Sequence, residues 1–142
     1  MAAVPTGTRR ILIVDDEPAV LALLRRIVAT VHVEILAARS GAEALAIARR
    51  SPLDLVILDV RLPDISGMEV LRRVRKIDDS VPVIMVTSYG SPESVRASMK
   101  LGAFDYLTKP FDSEEIRRLA REALATGARR RLVPSEASRG TT

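Results

Sequence analysis

The sequence contains no cysteine and no tryptophan, and only two tyrosines, two phenylalanines and one histidine among its 142 residues. Without cysteine there is no disulfide framework and no thiolate metal site. With 3% aromatic residues there is little material for stacking nucleic-acid bases. No apolar run is long enough to span a bilayer, and the opening MAAVPTGTRR lacks the apolar stretch of a secretory signal. These absences point to the cytoplasm. Length suits one domain, and 47% hydrophobic content suffices for one core.

The net charge is +4, and the isoelectric point is 10.1. Much of the excess is terminal: residues 127–142 hold Arg129, Arg130, Arg131 and Arg139 against Glu136 alone, a net +3. Basic residues elsewhere alternate with acids along helical segments, as on solvated faces rather than a nucleic-acid groove. The Arg129–Arg131 run reads the same way, as a helix end or tail. No direct DNA contact is expected from this chain.

Five short runs of β-branched and aliphatic residues occupy 10–14, 33–37, 54–58, 82–86 and 104–107, each followed by a segment of helical periodicity. Strands apolar on both faces and alternating with helices indicate a parallel sheet covered on both sides. The last run is the weakest, as suits an edge. Helices are predicted over about 17–30, 40–50, 66–77, 91–101 and 112–126. Pro18 stands in the first turn of the first, where a missing N–H costs nothing. Ser40 with Glu43, and Ser66 with Glu69, have capping-box spacing; Gly102 and Gly127 are read as stops. Met85 and Met99 are assigned to the core, and His32 to the surface at the start of the second strand. The result is an α/β fold of (βα)5 type over residues 9–126. Residues 1–8 and 127–142 are tails.

In open α/β sheets, ligands bind beyond the carboxyl ends of the strands. Asp15 and Asp16 follow the first strand, Asp59 the third, Thr87 and Ser88 the fourth, and Lys109-Pro110 the fifth. A flavodoxin-like strand order, 2-1-3-4-5, makes strands one and three neighbours and gathers the three carboxylates in one pocket flanked by Thr87 and Lys109. Three close carboxylates repel one another, and a hard divalent cation, Mg²⁺ rather than a zinc-type ion, removes the conflict. A carboxylate is a competent nucleophile toward phosphorus. The charge that develops on the transferred group is then met by the cation, the Lys109 ammonium, and the Thr87 hydroxyl with a nearby backbone N–H. Asp59, at the end of the most apolar strand, is the best nucleophile. Asp15 and Asp16, being adjacent, diverge: one touches the metal and the other acts through water.

The segments ILIVDDEP (11–18), LVILDVRLPDISGMEVL (55–71), PVIMVTSYGS (82–91) and GAFDYLTKPF (102–111) resemble the receiver domains of two-component response regulators, most closely those of nitrogen-regulatory, enhancer-binding activators. The resemblance implies a three-layer sandwich with a five-stranded parallel sheet. It implies Asp59 as phosphoacceptor, and Asp16, Asp59 and the Arg61 backbone carbonyl as Mg²⁺ ligands, with Asp15 acting on the ion mostly through water. It makes Lys109 the phosphate-pairing lysine, Thr87 the switch hydroxyl and Tyr106 the switch aromatic, with a cis Lys109–Pro110 bond. It implies a donor that is a sensor histidine kinase or a phosphotransfer protein, and allows a homodimer through the face made by the fourth helix, fifth strand and fifth helix. Arg61, Tyr89 and Ser66 are less typical of the family at their positions; Arg61 is a bulky cation two residues after Asp59, and Tyr89 is placed at the pocket rim.

Other readings weigh less. Asp15 and Asp16 as mere caps of the first helix leave Asp59 and Lys109 unexplained. An aspartate-nucleophile phosphatase wants a D-x-D pattern after the first strand. A flavin or nucleotide carrier wants a phosphate-binding loop there, where Asp-Asp-Glu stands instead. A scaffold without acceptor chemistry has no need of the full acidic set.

Overall fold

The computed structural model describes residues 7–30, 32–88 and 90–132. Five strands, β1 (Arg9–Val14), β2 (Val33–Ala38), β3 (Leu55–Leu58), β4 (Val83–Thr87) and β5 (Asp105–Thr108), alternate with α1 (Pro18–Val28), α2 (Gly41–Arg50), α3 (Gly67–Ile77), α4 (Pro92–Lys100) and α5 (Ser113–Leu132). The strands form one sheet in the order β2-β1-β3-β4-β5, and every adjacent pair is parallel.

Alternation along the three inner strands fills two cores. Leu12, Val14, Val56, Leu58, Val83 and Met85 face one side, against Ala44, Leu45 and Ile47 of α2 and Val70, Leu71 and Val74 of α3. Ile11, Ile13, Leu55, Ile57, Ile84 and Val86 face the other, against Leu21, Leu24 and Ile27 of α1 and Ile116, Leu119 and Ala123 of α5. That is the expected three-layer sandwich. The apolar residues of β1, β3 and β4 have at most 2% of their surface exposed. Each such side chain contributes about 1.5–3 kcal/mol of transfer free energy, which makes the centre of the sheet the stiffest part of the molecule. The edge strand β2 is only half-buried along most of its length.

Local signals act largely as their chemistry dictates. Ser40 Oγ accepts from the Glu43 amide, but the Glu43 carboxylate takes the amide of Arg39 rather than that of Ser40, so the box closes one residue early. Ser66 caps α3 by accepting from the Met68 amide, while the Glu69 carboxylate turns to Arg72 and Arg73. Those two guanidiniums hold the Glu69 pKa down at about 2. A full reciprocal box forms instead at α4, between Ser91 and Ser94. Gly102 ends α4 in the left-handed region, at φ +96°, as a stop should.

Two expectations need correction. Helix α5 runs through Gly127 to Leu132, so the domain's last helix does not end at residue 126. A glycine inside a helix costs only about 1 kcal/mol relative to alanine, and the alanines and arginines around Gly127 are good helix formers. Met99 is not core: it is 47% exposed, and the buried position in that turn is Ser98, whose Oγ lies 3.1 Å from Met68 Sδ. One residue of helical rotation decides which of the two points inward. His32 is exposed, as expected, and its carbonyl accepts from the Arg9 amide at the start of the sheet. The Tyr89 expectation and most of both tails lie outside the described residues.

Candidate functional site

Register assembles the site. Val14 pairs with Leu58 at the ends of β1 and β3, so the next residues, Asp15 and Asp59, emerge side by side. The Asp59 amide donates to the Val14 carbonyl at 3.0 Å, and the Asp15 amide to the Ala38 carbonyl at 3.1 Å. Two strands away, Thr87 pairs with Thr108, and the Lys109 amide donates to the Thr87 carbonyl at 2.8 Å. The Lys109–Pro110 peptide that follows is cis, as the sequence led us to expect.

Lys109 reaches back across this end of the sheet. Its Nζ lies 2.6 Å from Asp15 Oδ2 and 3.0 Å from Asp59 Oδ2. The three side chains are 12%, 2% and 7% exposed respectively, so the pairing is shielded from bulk water, where such contacts weaken. The remaining carboxylate oxygens are fixed locally: Asp15 Oδ1 accepts from the Glu17 amide at 2.9 Å, and Asp59 Oδ1 from the Arg61 amide at 3.1 Å. Burial raises the Asp15 pKa, and hydrogen bonds from Lys109 and the Glu17 amide only partly offset it. Burial alone would lower the Lys109 pKa, but the hydrogen bonds it donates to Asp15 and Asp59 outweigh it and the net shift is upward. The ammonium stays charged.

A cleft of about 410 Å³ opens over this cluster, walled by Asp16, Glu17, Asp59, Arg61, Ser88 and Lys109. Asp15 and Asp16 diverge as expected, the first buried beneath the cleft and the second exposed in it. Thr87 is fully buried at the end of β4, and the neighbouring wall position is Ser88, so the Thr87 hydroxyl sits behind the cleft rather than in it. Tyr106 is half-buried on β5 against the core on the α2–α3 side of the sheet, and its hydroxyl lies 3.0 Å from Ser94 Oγ of α4. A second concavity, of about 310 Å³, lies at the opposite end of the sheet between the last turns of α2 and α3. Its only carboxylate is Asp78, so it gathers no comparable chemistry.

The donor set is all oxygen. Ligand atoms of Asp15, Asp16 and Glu17 lie within 4.8 Å of one another, beside the Asp59 carboxylate and the exposed Arg61 segment of the same cleft. Oxygen-only ligation with room left for water suits Mg²⁺, so these residues fit the ion the sequence suggested. Glu17 is the member that the sequence reading did not assign. Its signal was its place directly after the Asp15-Asp16 doublet, on the first turn out of a central strand.

Comparison with known proteins agrees with this geometry. The family model for the response regulator receiver domain matches residues 11–121. "Response regulator protein PilR" of Pseudomonas aeruginosa is 39% identical over 116 residues, which are 82% of this chain and 26% of that protein. "Sporulation initiation phosphotransferase F" of Bacillus subtilis is 38% identical over 108 residues, 76% of this chain and 87% of that one. A CheY-like response regulator receiver domain protein from Methanospirillum hungatei superposes with a TM-score of 0.81 at 32% identity, covering 85% of this chain and 97% of that chain. The chain thus spans about a quarter of the first relative and most of the second. With its fold, its strand order and the acidic strand ends all in agreement, this chain belongs to the family of response regulator receiver domains.

Proposed function

We propose that this domain accepts a phosphoryl group on Asp59 in a Mg²⁺-dependent reaction, and that the modification resets the face formed by α4, β5 and α5. The observation that carries the proposal is the one ammonium, that of the largely shielded Lys109, shared between the carboxylates that follow the two central strands.

The donor is the phosphohistidine of a sensor kinase or a phosphotransfer protein. An Asp59 carboxylate oxygen attacks phosphorus, the new O–P bond forms, and the P–N bond to the imidazole breaks. The departing imidazole keeps the electron pair and takes a proton from solvent. Asp16, Asp59 and the Arg61 carbonyl would hold Mg²⁺, with Asp15 supporting from below. When bound, the ion neutralises the carboxylates and the oxygens of the group in transfer. Lys109 supplies the fixed positive charge: its two carboxylate partners hold the ammonium where charge develops on the transferred group. The hydrolysis that ends the signal uses the same groups, so the domain catalyses only its own phosphorylation and dephosphorylation. Thr87 lies at the end of the strand next to β3, and we assign it the hydroxyl that moves toward a phosphoryl group on Asp59. Tyr106, on the adjoining strand, then turns inward behind it.

The partner that reads the altered face is an output domain or a second copy of the chain. No helix among the described residues is long and apolar enough to cross a membrane, and the reading implies a cytoplasmic site that touches no DNA itself. The test is incubation with Mg²⁺ and a small acyl-phosphate donor, followed by intact mass. We expect the wild type to gain one phosphoryl group, and Asp59→Asn or a chelated sample to gain none. No gain on the wild type, or the same gain on Asp59→Asn, would refute the assignment.

A further inference from the structure

We propose that the turn from β2 into α2, which lends no side chain to the acidic cleft, braces the two loops that form it, with Asp64 and Arg39 as its positioning residues. The inference rests on the reading of the cleft as a Mg²⁺ and phosphoacceptor site, and it concerns how the walls of that cleft are held apart.

Asp64 lies in the loop 59–67 that carries Asp59 and Arg61, yet its carboxylate turns away from the cleft. Oδ1 accepts from the Gly41 amide at 2.9 Å, and Oδ2 from the Ala42 amide at 2.8 Å. Those are the first two free N–H groups of α2, and the third, on Glu43, is taken by Ser40 Oγ at 3.1 Å. A helix needs only its local cap at this end. Here a carboxylate from 22 residues further along occupies two of the positions, which ties the acceptor loop to the helix. The positive end of α2 favours that charge, and the two amides hold the Asp64 pKa below its ordinary value. The contact is close: a Cβ on Gly41 would stand 2.4 Å from Ile65 Cγ1. The base of the same loop is also closed, because the Gly67 amide donates to the Val60 carbonyl at 2.7 Å.

The same turn holds the other wall. Arg39 Nη2 donates to the Asp16 carbonyl at 3.1 Å, while the Arg39 amide donates to the Glu43 carboxylate at 2.7 Å. Residues 39–43 therefore grip the Asp16 loop at one end and the Asp59 loop at the other. Asp16 and Arg61 both line the cleft, one on each of the gripped loops, so their spacing depends on this grip.

Asp64→Ala, Asp64→Asn and Arg39→Ala test the brace, with Ile116→Val, a core change on the opposite face of the sheet, as a control of reduced stability. In metal-free protein, amide exchange across residues 59–67 should rise roughly tenfold in Asp64→Ala and stay at the wild-type rate in the control. Mg²⁺ affinity, read by fluorescence or amide shifts, should fall about tenfold in Asp64→Ala, by less in Arg39→Ala, and return most of the way in Asp64→Asn, which keeps one accepting oxygen. Unchanged loop exchange in Asp64→Ala, or a loss of Mg²⁺ affinity no greater than in Ile116→Val, would overturn the brace. A wild type that binds no Mg²⁺ would instead overturn the reading of the cleft, and the metal-free exchange would still decide whether residues 39–43 hold the loops.

Discussion

Replacing Lys109 by methionine removes the one positive charge between two buried carboxylates and keeps most of the side-chain volume. In the wild type the ammonium makes two charge-assisted hydrogen bonds, at 2.6 and 3.0 Å, to side chains that are 2% and 7% exposed. Breaking a buried pair by deleting one partner costs about 3–5 kcal/mol, because the other charge is left uncompensated. Lys109 itself is 12% exposed, so water relieves part of this, and the lower figure, about 3 kcal/mol at neutral pH, is expected from urea unfolding. The sign of a second change makes the test sharper. Burial already disfavours the charged form of Asp15, so Asp15→Asn should be more favourable in the Lys109→Met background than in the wild type. The coupling expected is about 1.5–3 kcal/mol, the worth of one hydrogen bond to a charged group. Added Mg²⁺ should recover stability in Lys109→Met, because it neutralises the same carboxylates. A cost under about 1 kcal/mol, with no coupling to Asp15, would refute the claim that these groups form one electrostatic unit.

Carboxyl titrations followed by NMR should place Asp15 above the ordinary aspartate value, Asp64 below it, and Glu69 at about 2. For Asp64, whose folded pKa is depressed, linkage puts its contribution in full above the unfolded pKa; that contribution is lost as pH falls through the folded value. Acid unfolding of Asp64→Asn should therefore be less steep than that of the wild type below pH 3.8. Gly67→Ala would set a Cβ 2.0 Å from the Asp59 carbonyl oxygen; since backbone has to move, a loss of about 3 kcal/mol is expected in denaturant melts. Leu58→Ala, at a fully buried position one residue before Asp59, should cost about 2–5 kcal/mol. Tyr106→Phe removes only the contact with Ser94 Oγ and should cost about 1 kcal/mol, leaving metal-free exchange in loop 59–67 unchanged.

The sheet was legible because its signal is local. Ile11–Val14, Leu55–Leu58 and Val83–Val86 are apolar on both faces and alternate with helices, the pattern of a covered parallel sheet. The site was legible for a related reason. Asp15, Asp59, Thr87 and Lys109 each stand one residue past a strand or at its last position, so strand order alone brings them together. What escaped was set by packing between distant segments or by small balances. The true partner of the Glu43 carboxylate, the Arg39 amide, is one residue from the expected one. The inward residue of the last turns of α4 is Ser98 rather than Met99, a choice that polarity alone gets wrong. The continuation of α5 past Gly127 turns on about 1 kcal/mol of propensity. Asp64 drew no assignment from the sequence, because its partners, the Gly41 and Ala42 amides, lie in another element. Such a contact has no sequence periodicity to announce it.

The central claim is that the carboxylate joined to Lys109 and lining the cleft, Asp59, is the atom group that takes the phosphoryl. Acyl phosphates are reduced by borohydride, which converts a modified aspartate to homoserine and marks its position in a peptide map. After treatment with an acyl-phosphate donor and Mg²⁺, the account predicts homoserine at position 59 and at no other aspartate. Homoserine at Asp15, Asp16 or Asp64, or its absence from a sample that has gained phosphate, would contradict it.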